Sequence, residues 1–219
     1  MDRLFDANFR QRVVTAVIAA PIALFLIILS WQTTALLIGV MLILATYEYI
    51  QLVRTQPSSL TINILFGILY LGLPLIAAIW LRRYSPDGLS YLLLALVTNW
   101  IVDSAALIGG KLYGKRPFVP VISPKKTWEG VFTGVVAGVI GIIIIAVLLG
   151  LPIDAIIILF ALIIPIATIL GDLLESKMKR RFGVKDSGNL FPGHGGVLDR
   201  IDSPIFTLPI AALVVALVG

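Results

Sequence analysis

Residues 130–149 read GVFTGVVAGVIGIIIIAVLL, twenty residues without one charged side chain. Read as helix, such a run rises about 30 Å, the thickness of a bilayer's hydrocarbon core. Working outward, six more apolar runs appear at 13–30, 35–53, 62–80, 89–108, 154–171 and 204–219. The whole chain follows the same pattern: of 219 residues, 59% are hydrophobic and only 13% charged, with a mean hydropathy of +1.03. A soluble domain carries about 25% charged residues, so a soluble fold is excluded. The expected fold is all-α: a polytopic integral membrane protein of about seven transmembrane helices, forming one membrane domain over 1–219, with two cytoplasmic polar loops.

Two runs carry qualifications. The last has 16 residues and ends at Gly219, so a short or imperfect span is expected there. The first lacks a small-x-small cleavage site behind it and leads straight into another span, so it is expected to be retained rather than removed as a signal peptide. With no cysteine in the chain, neither disulfides nor thiol chemistry is available. The net charge of +5 suits anionic headgroups.

Lys and Arg between the runs set the topology. Of the 17 in the chain, only Arg82 and Arg83 fall on one side of a seven-span arrangement. The other fifteen fall on the opposite side, which the positive-inside rule makes cytoplasmic. The N-terminus and both long polar loops then face the cytoplasm, and the C-terminus faces outward.

Glu48, Asp103, Asp172 and Glu175 lie at the cytoplasmic ends of their runs. A carboxylate at the bilayer centre costs at least about 2.5–3.5 kcal/mol, so each is expected to face a polar cavity. Glu48 reads equally well as a helix-end acid reaching headgroup water. Asp103 and Asp172 adjoin polar loops rich in further motif residues, which favours function for them.

The longest polar stretch is SKMKRRFGVKDSGNLFPGHGGVLDRID, residues 176–202, with six basic residues, three aspartates and the chain's only histidine, His194. Just before it, Asp172, Glu175, Ser176 and Lys179 are spaced to share one face if the helix continues past the membrane edge. Asp199 and Asp202 repeat the i, i+3 spacing beyond the glycines. Acid pairs from separate segments suit a Mg²⁺–polyphosphate site, although such pairs also occur as solvated helix faces. His194, flanked by glycines, reads as a phosphate contact, a general acid or a loop cap. A lone histidine without cysteine argues against zinc.

A second polar cluster spans residues 99–130. Lys111, Lys115, Arg116, Lys125 and Lys126 accompany glycines, and Ser123-Pro124 is expected to mark a turn. Lys125-Lys126-Thr127 precedes an apolar helix, an arrangement suited to anion binding at a helix N-terminus. Positive-inside lysines touching lipid would explain some of these charges. No GxxxxGK[ST] phosphate loop is present.

At these residues the chain resembles the phosphatidate cytidylyltransferases, or CDP-diacylglycerol synthases. Their signature has the form S-x-[apolar]-K-R-x4-K-D-x-[small]-x2-[apolar]-P-x-H-G-G-[apolar]-x-D-R-[apolar]-D. Ser176, Lys179, Arg180, Lys185, Asp186, Gly188, Pro192, His194, Gly195, Gly196, Asp199, Arg200 and Asp202 meet every fixed position. Asp103-Ser104, with Ser123-Pro124-Lys125-Lys126-Thr127 and Glu129-Gly130, resembles the family's second cytoplasmic block.

The resemblance implies Mg²⁺-dependent transfer of a cytidylyl group from CTP to phosphatidic acid, giving CDP-diacylglycerol and pyrophosphate. It implies Asp172 and Asp199 as metal carboxylates, with Asp202 close by and a second cation possible in the same site. Lys179 and His194 join Asp172 and Asp199 as the catalytic set. Ser123, Lys125, Lys126, Thr127, Ser176, Arg180, Lys185, Asp186, Arg200 and Asp103 would hold substrate. A phosphate oxygen of phosphatidic acid is already anionic, so no strong general base is needed, and bringing two anions together is the difficulty. Implied partners are CTP, phosphatidic acid and membrane lipid, with a homodimer possible and no nucleic acid. The implied location is a bacterial inner membrane.

The alternative is a CTP-dependent lipid kinase moving the γ-phosphate to a polyprenol-type alcohol, which similar acids and lysines would serve. A cation-coupled transporter would place charge near the midplane and break helices in paired halves. Here charge gathers at one face. The D-x2-D-G-x2-A-R motif of the CDP-alcohol phosphotransferases is absent.

Overall fold

In a computed structural model, the structure describes residues 18–19, 21–54, 60–184, 186–188 and 195–219. Residues 21–29 are helical and lead into α1, Trp31–Arg54. Then follow α2, Thr61–Tyr84; α3, Gly88–Tyr113; a hairpin of β1, Pro117–Val119, and β2, Ser123–Thr127; α4, Trp128–Leu148; α5, Ala155–Arg181; and α6, Pro204–Val218. The protein is thus an all-α polytopic membrane protein, with one small hairpin among the described residues. Helices α1 to α5 are each long and apolar enough to cross a bilayer. α6, with 15 residues, is shorter. Most of the first apolar run lies outside the described residues.

Each run from the second to the sixth became a helix, and α3 and α5 outrun the C-terminal end of their apolar stretch by the most. α3 continues to Tyr113 and α5 to Arg181. α5 starts cleanly because Asp154 Oδ1 accepts the Ile156 and Ile157 N–H groups at 3.0 and 3.1 Å, as an N-cap should. It then carries Lys179, Arg180 and Arg181 in its last turn, where cations complement the helix dipole. α2 contains a π-helical turn, Ile68–Gly72, that buries Tyr70 and Leu71.

The hairpin corrects one expectation. Ser123-Pro124 does not form the turn; residues 120–122 turn just before it, with Ile122 N–H bonded to Val119 O at 3.2 Å, and Ser123 opens β2. β1 and β2 pair antiparallel, Pro117 opposite Thr127 and Val119 opposite Ser123, with an irregularity between the two pairs. The hairpin is fastened to the α3–α4 corner. Glu129 accepts the Lys115 and Arg116 N–H groups at 3.1 and 3.2 Å, and Trp128 N–H reaches Arg116 O at 3.0 Å.

α3 and α4 pack closely because glycines line the contact. A Cβ at Gly130 would sit 2.7 Å from Ala106 O, and one at Gly134 3.0 Å from Val102 O. Small residues that let backbones approach are how helices associate where lipid removes the hydrophobic drive. One apolar core joins α2, α3, α4, α5 and α6 through Leu81, Leu94, Ile142, Phe160 and Leu208. A second lies under the polar loop and joins α1, the π turn, the end of α5 and residues 197–205, through Tyr49, Leu52, Met178, Leu198 and Ile205. Large apolar side chains such as Ile43, Leu69, Phe132, Ile144 and Leu162 remain exposed, as a lipid-facing surface requires.

Candidate active site

Three segments bring their acids to one place. α5 continues helically past its apolar run, so Asp172, Glu175, Ser176 and Lys179 do share a face. The turn Leu198–Arg200 and the residues after it supply Asp199, Asp202 and Ser203. α3 contributes Asp103, which accepts from Ser203 Oγ at 3.5 Å. From the hairpin, Lys126 forms an ion pair with Asp172.

Beneath this layer lies a polar floor. Asn99, Thr168 and Thr207 are buried, and each stands one helical turn from Asp103, Asp172 and Ser203 respectively. Thr168 donates to Asn99 Oδ1 at 2.8 Å, and Asn99 Nδ2 donates to Thr207 Oγ1 at 3.1 Å. These bonds tie α3, α5 and α6 together directly below the acids.

Lys179 is the centre of the buried half. Its ammonium lies 2.6 Å from Glu175 Oε2 and 2.8 Å from Asp199 Oδ1. Asp199 also accepts from Ser187 N at 3.1 Å and Gly196 N at 2.7 Å. Burial alone would raise the Asp199 carboxyl. Contacts with Glu175, Lys179 and the Gly196 N–H outweigh that and hold it at about 2. Asp202 moves the other way: burial first, then the Asp172 charge, push it up to about 6, against the Ser203 N–H and the Arg200 and Lys179 charges.

Five carboxylates therefore share the region with two ammonium groups. One oxygen each from Asp172, Glu175 and Asp202 lie within 4.8 Å of one another. Glu175 is 1% exposed, yet its Oε1 has no hydrogen-bond partner among the described residues. An all-oxygen donor set of this kind, with an orphaned buried acceptor, fits a hard divalent cation such as Mg²⁺. The sequence led to Asp172, Asp199 and Asp202 as metal ligands. The geometry groups two of these with Glu175, while Asp199 is engaged by Lys179 and the loop amides.

The other sequence-derived residues are distributed around this centre. Ser176 Oγ is 3.4 Å from Asp172 Oδ1. Thr127 caps α4 by accepting Gly130 N–H at 3.2 Å. Ser123 is half-buried in β2, and Lys125 is exposed beside it. Arg180 donates to Val184 O at 3.0 Å; Asp186 and Arg200 are exposed. His194 and Lys185 lie outside the described residues. An open cleft of about 600 Å³ sits at the base of the hairpin, lined by Tyr113, Arg116, Trp128, Glu129, Phe132 and Thr133. None of the clustered carboxylates lines it.

Two residues outside the expected set enter the site region. Glu175 was visible on the α5 face through its spacing. Glu48 had only its position at a helix end as a signal, and its contacts lie about 140 to 150 residues away in sequence.

Residues 58–218 match the cytidylyltransferase family. Over 147 residues, or 67% of it, the chain is 40% identical to a phosphatidate cytidylyltransferase of Staphylococcus epidermidis, covering 55% of that protein. Over 155 residues, or 70%, it is 41% identical to the phosphatidate cytidylyltransferase of Bacillus subtilis, covering 58% of that protein. A Staphylococcus haemolyticus protein of the same name is 42% identical over 147 residues, 67% of this chain and 55% of that one. The matches thus span a little over half the length of these curated relatives.

Proposed function

We propose that the chain, which belongs to the cytidylyltransferase family, transfers a cytidylyl group from CTP to phosphatidic acid at the cytoplasmic face of a bacterial inner membrane. The observation that carries this reading is the pairing of a carboxylate cluster, Asp172, Glu175 and Asp202, with two lysines already in its field, Lys126 and Lys179. The family and the names of the relatives support CTP and phosphatidate as substrates.

Asp172 and Asp202 would hold Mg²⁺, with Glu175 or Asp199 completing the protein's share. Bound there, the cation supplies positive charge that lets two anionic substrates approach. Lys126 and Lys179 now sit on carboxylates. With a triphosphate in the site, they are placed to turn to phosphate oxygens and stabilise departing pyrophosphate. The attacking phosphate oxygen of the lipid needs no base, so the acids are left to bind and orient. Asp103, on α3, accepts from Ser203 at the start of α6 and so would border the same space.

The cleft beside the hairpin supports lateral entry of the lipid. Tyr113, Trp128 and Phe132 offer apolar surface, and Arg116 offers a cation at one rim. The reaction is tested with purified protein, Mg²⁺ and CTP by following the released product. Pyrophosphate release that requires phosphatidic acid is expected. Release of CDP with a polyprenol or diacylglycerol acceptor would instead establish a kinase.

A further inference from the structure

We propose that Glu48 is a positioning residue of the transferase, a strap from α1 that fixes the loop carrying Asp199 and Asp202; this rests on the reading of the site given above. Glu48 is 3% exposed. Its Oε2 accepts from Leu198 N at 3.0 Å and faces Ser187 Oγ at 3.4 Å. It lies ahead of residue 58, where the family match begins.

The loop is held between two carboxylates. Ser187 gives its N–H to Asp199 and its hydroxyl to Glu48. On the returning side, Gly196 N–H goes to Asp199 and Leu198 N–H to Glu48. Both flanks of the loop are therefore tied to the same two acids. Glycine is needed at the contact: a Cβ at Gly188 would lie 2.4 Å from Glu48 Oε1, and one at Gly196 2.4 Å from Oε2. Around this polar centre, Tyr49 and Leu52 of α1 join Val197, Leu198 and Ile201 in one apolar cluster.

The second oxygen, Oε1, is buried and has no hydrogen-bond partner among the described residues. A buried carboxylate left half-satisfied is costly. What it contributes is the placement of the Leu198 N–H, one residue from Asp199, and of the Ser187 hydroxyl on the other flank of the loop. Displacing the loop would move Asp199 and Asp202 relative to Asp172, and a shift of about 1 Å at a positioned group can cost about a hundredfold in rate.

The test uses the full chain in lipid nanodiscs, assayed with CTP and phosphatidic acid and followed by hydrogen exchange of residues 187 and 195–203. Glu48→Gln retains an acceptor for Leu198 N–H and is expected to keep kcat within about threefold of the unmodified protein. Glu48→Ala is expected to lower kcat at least about tenfold, with KM for CTP changed less than about threefold. The Gly196 and Leu198 amides should then exchange at least about tenfold faster. Gly188→Ala pushes the carboxylate off the loop without removing it, and should reproduce the pattern even if Glu48→Ala does not fold. Unchanged turnover and exchange in both Glu48→Ala and Gly188→Ala would overturn the proposal. So would a Glu48→Gln variant as impaired as Glu48→Ala, or a loss confined to KM for CTP. If the unmodified protein transfers nothing while exchange still responds to Glu48→Ala, the strap stands and the transferase reading falls.

Discussion

Lys179 is the residue on which most of the buried charge depends. Its ammonium serves Glu175 at 2.6 Å and Asp199 at 2.8 Å, with side-chain exposures of only 1% and 7% for those acids. Removing one partner of a buried pair costs about 3–5 kcal/mol, because the charge left behind has no compensation. Lys179→Met is therefore expected to lower the unfolding temperature and to abolish turnover, measurable by thermal unfolding in detergent beside the activity assay. Asp199 links this charge to pH. Its carboxyl is held at about 2, against 3.8 for the free group. A depressed carboxyl stabilises the fold above its unfolded value, and that contribution is lost as pH falls through the folded one. Over roughly pH 4 to pH 2 the protein should lose stability on the order of 2 kcal/mol from this group. Asp199→Asn should show a smaller loss over that window, and should reduce turnover at least about a hundredfold while remaining folded.

At the scale of elements, the α3–hairpin–α4 unit and α5 decide the site. Gly134 sits where a side chain would meet Val102 O at 3.0 Å and the Ala106 Cβ at 3.0 Å. Overpacking a close contact costs about 1–3 kcal/mol, so Gly134→Val should lower the thermal stability of the detergent-solubilised protein by about that amount. The apolar helices could be read from sequence because lipid demands long uncharged runs. The shared face of Asp172, Glu175, Ser176 and Lys179 could be read from the helical repeat once α5 was taken past the membrane edge. The hairpin could not. Ser123-Pro124-Lys125-Lys126-Thr127 is poor in β-formers, and its strand is defined by pairing with Pro117–Val119 and by Glu129 gripping Lys115 and Arg116. Nor could the grouping of Glu175 with Asp202, or the reach of Glu48 to Leu198, since both depend on how distant segments pack.

For the molecule as a whole, the acids, their lysines and the hairpin gather at the end of the bundle where α3 and α5 finish, while Arg82 and Arg83 lie at the end of α2. Arg83 stacks 4.3 Å from the Trp31 ring centroid there. With no native cysteine, sidedness can be tested by single Lys125→Cys and Arg83→Cys variants in intact cells. A membrane-impermeant thiol reagent should label position 83 and leave position 125 unlabelled until the membrane is opened. The most direct test of cytidylyl transfer follows the phosphorus itself, using phosphatidic acid, Mg²⁺ and CTP labelled at either the α or the γ position. Label from the α position should enter the lipid, and γ label should leave as pyrophosphate. Label from the γ position appearing in a lipid, or neither label moving, would contradict transfer of a cytidylyl group.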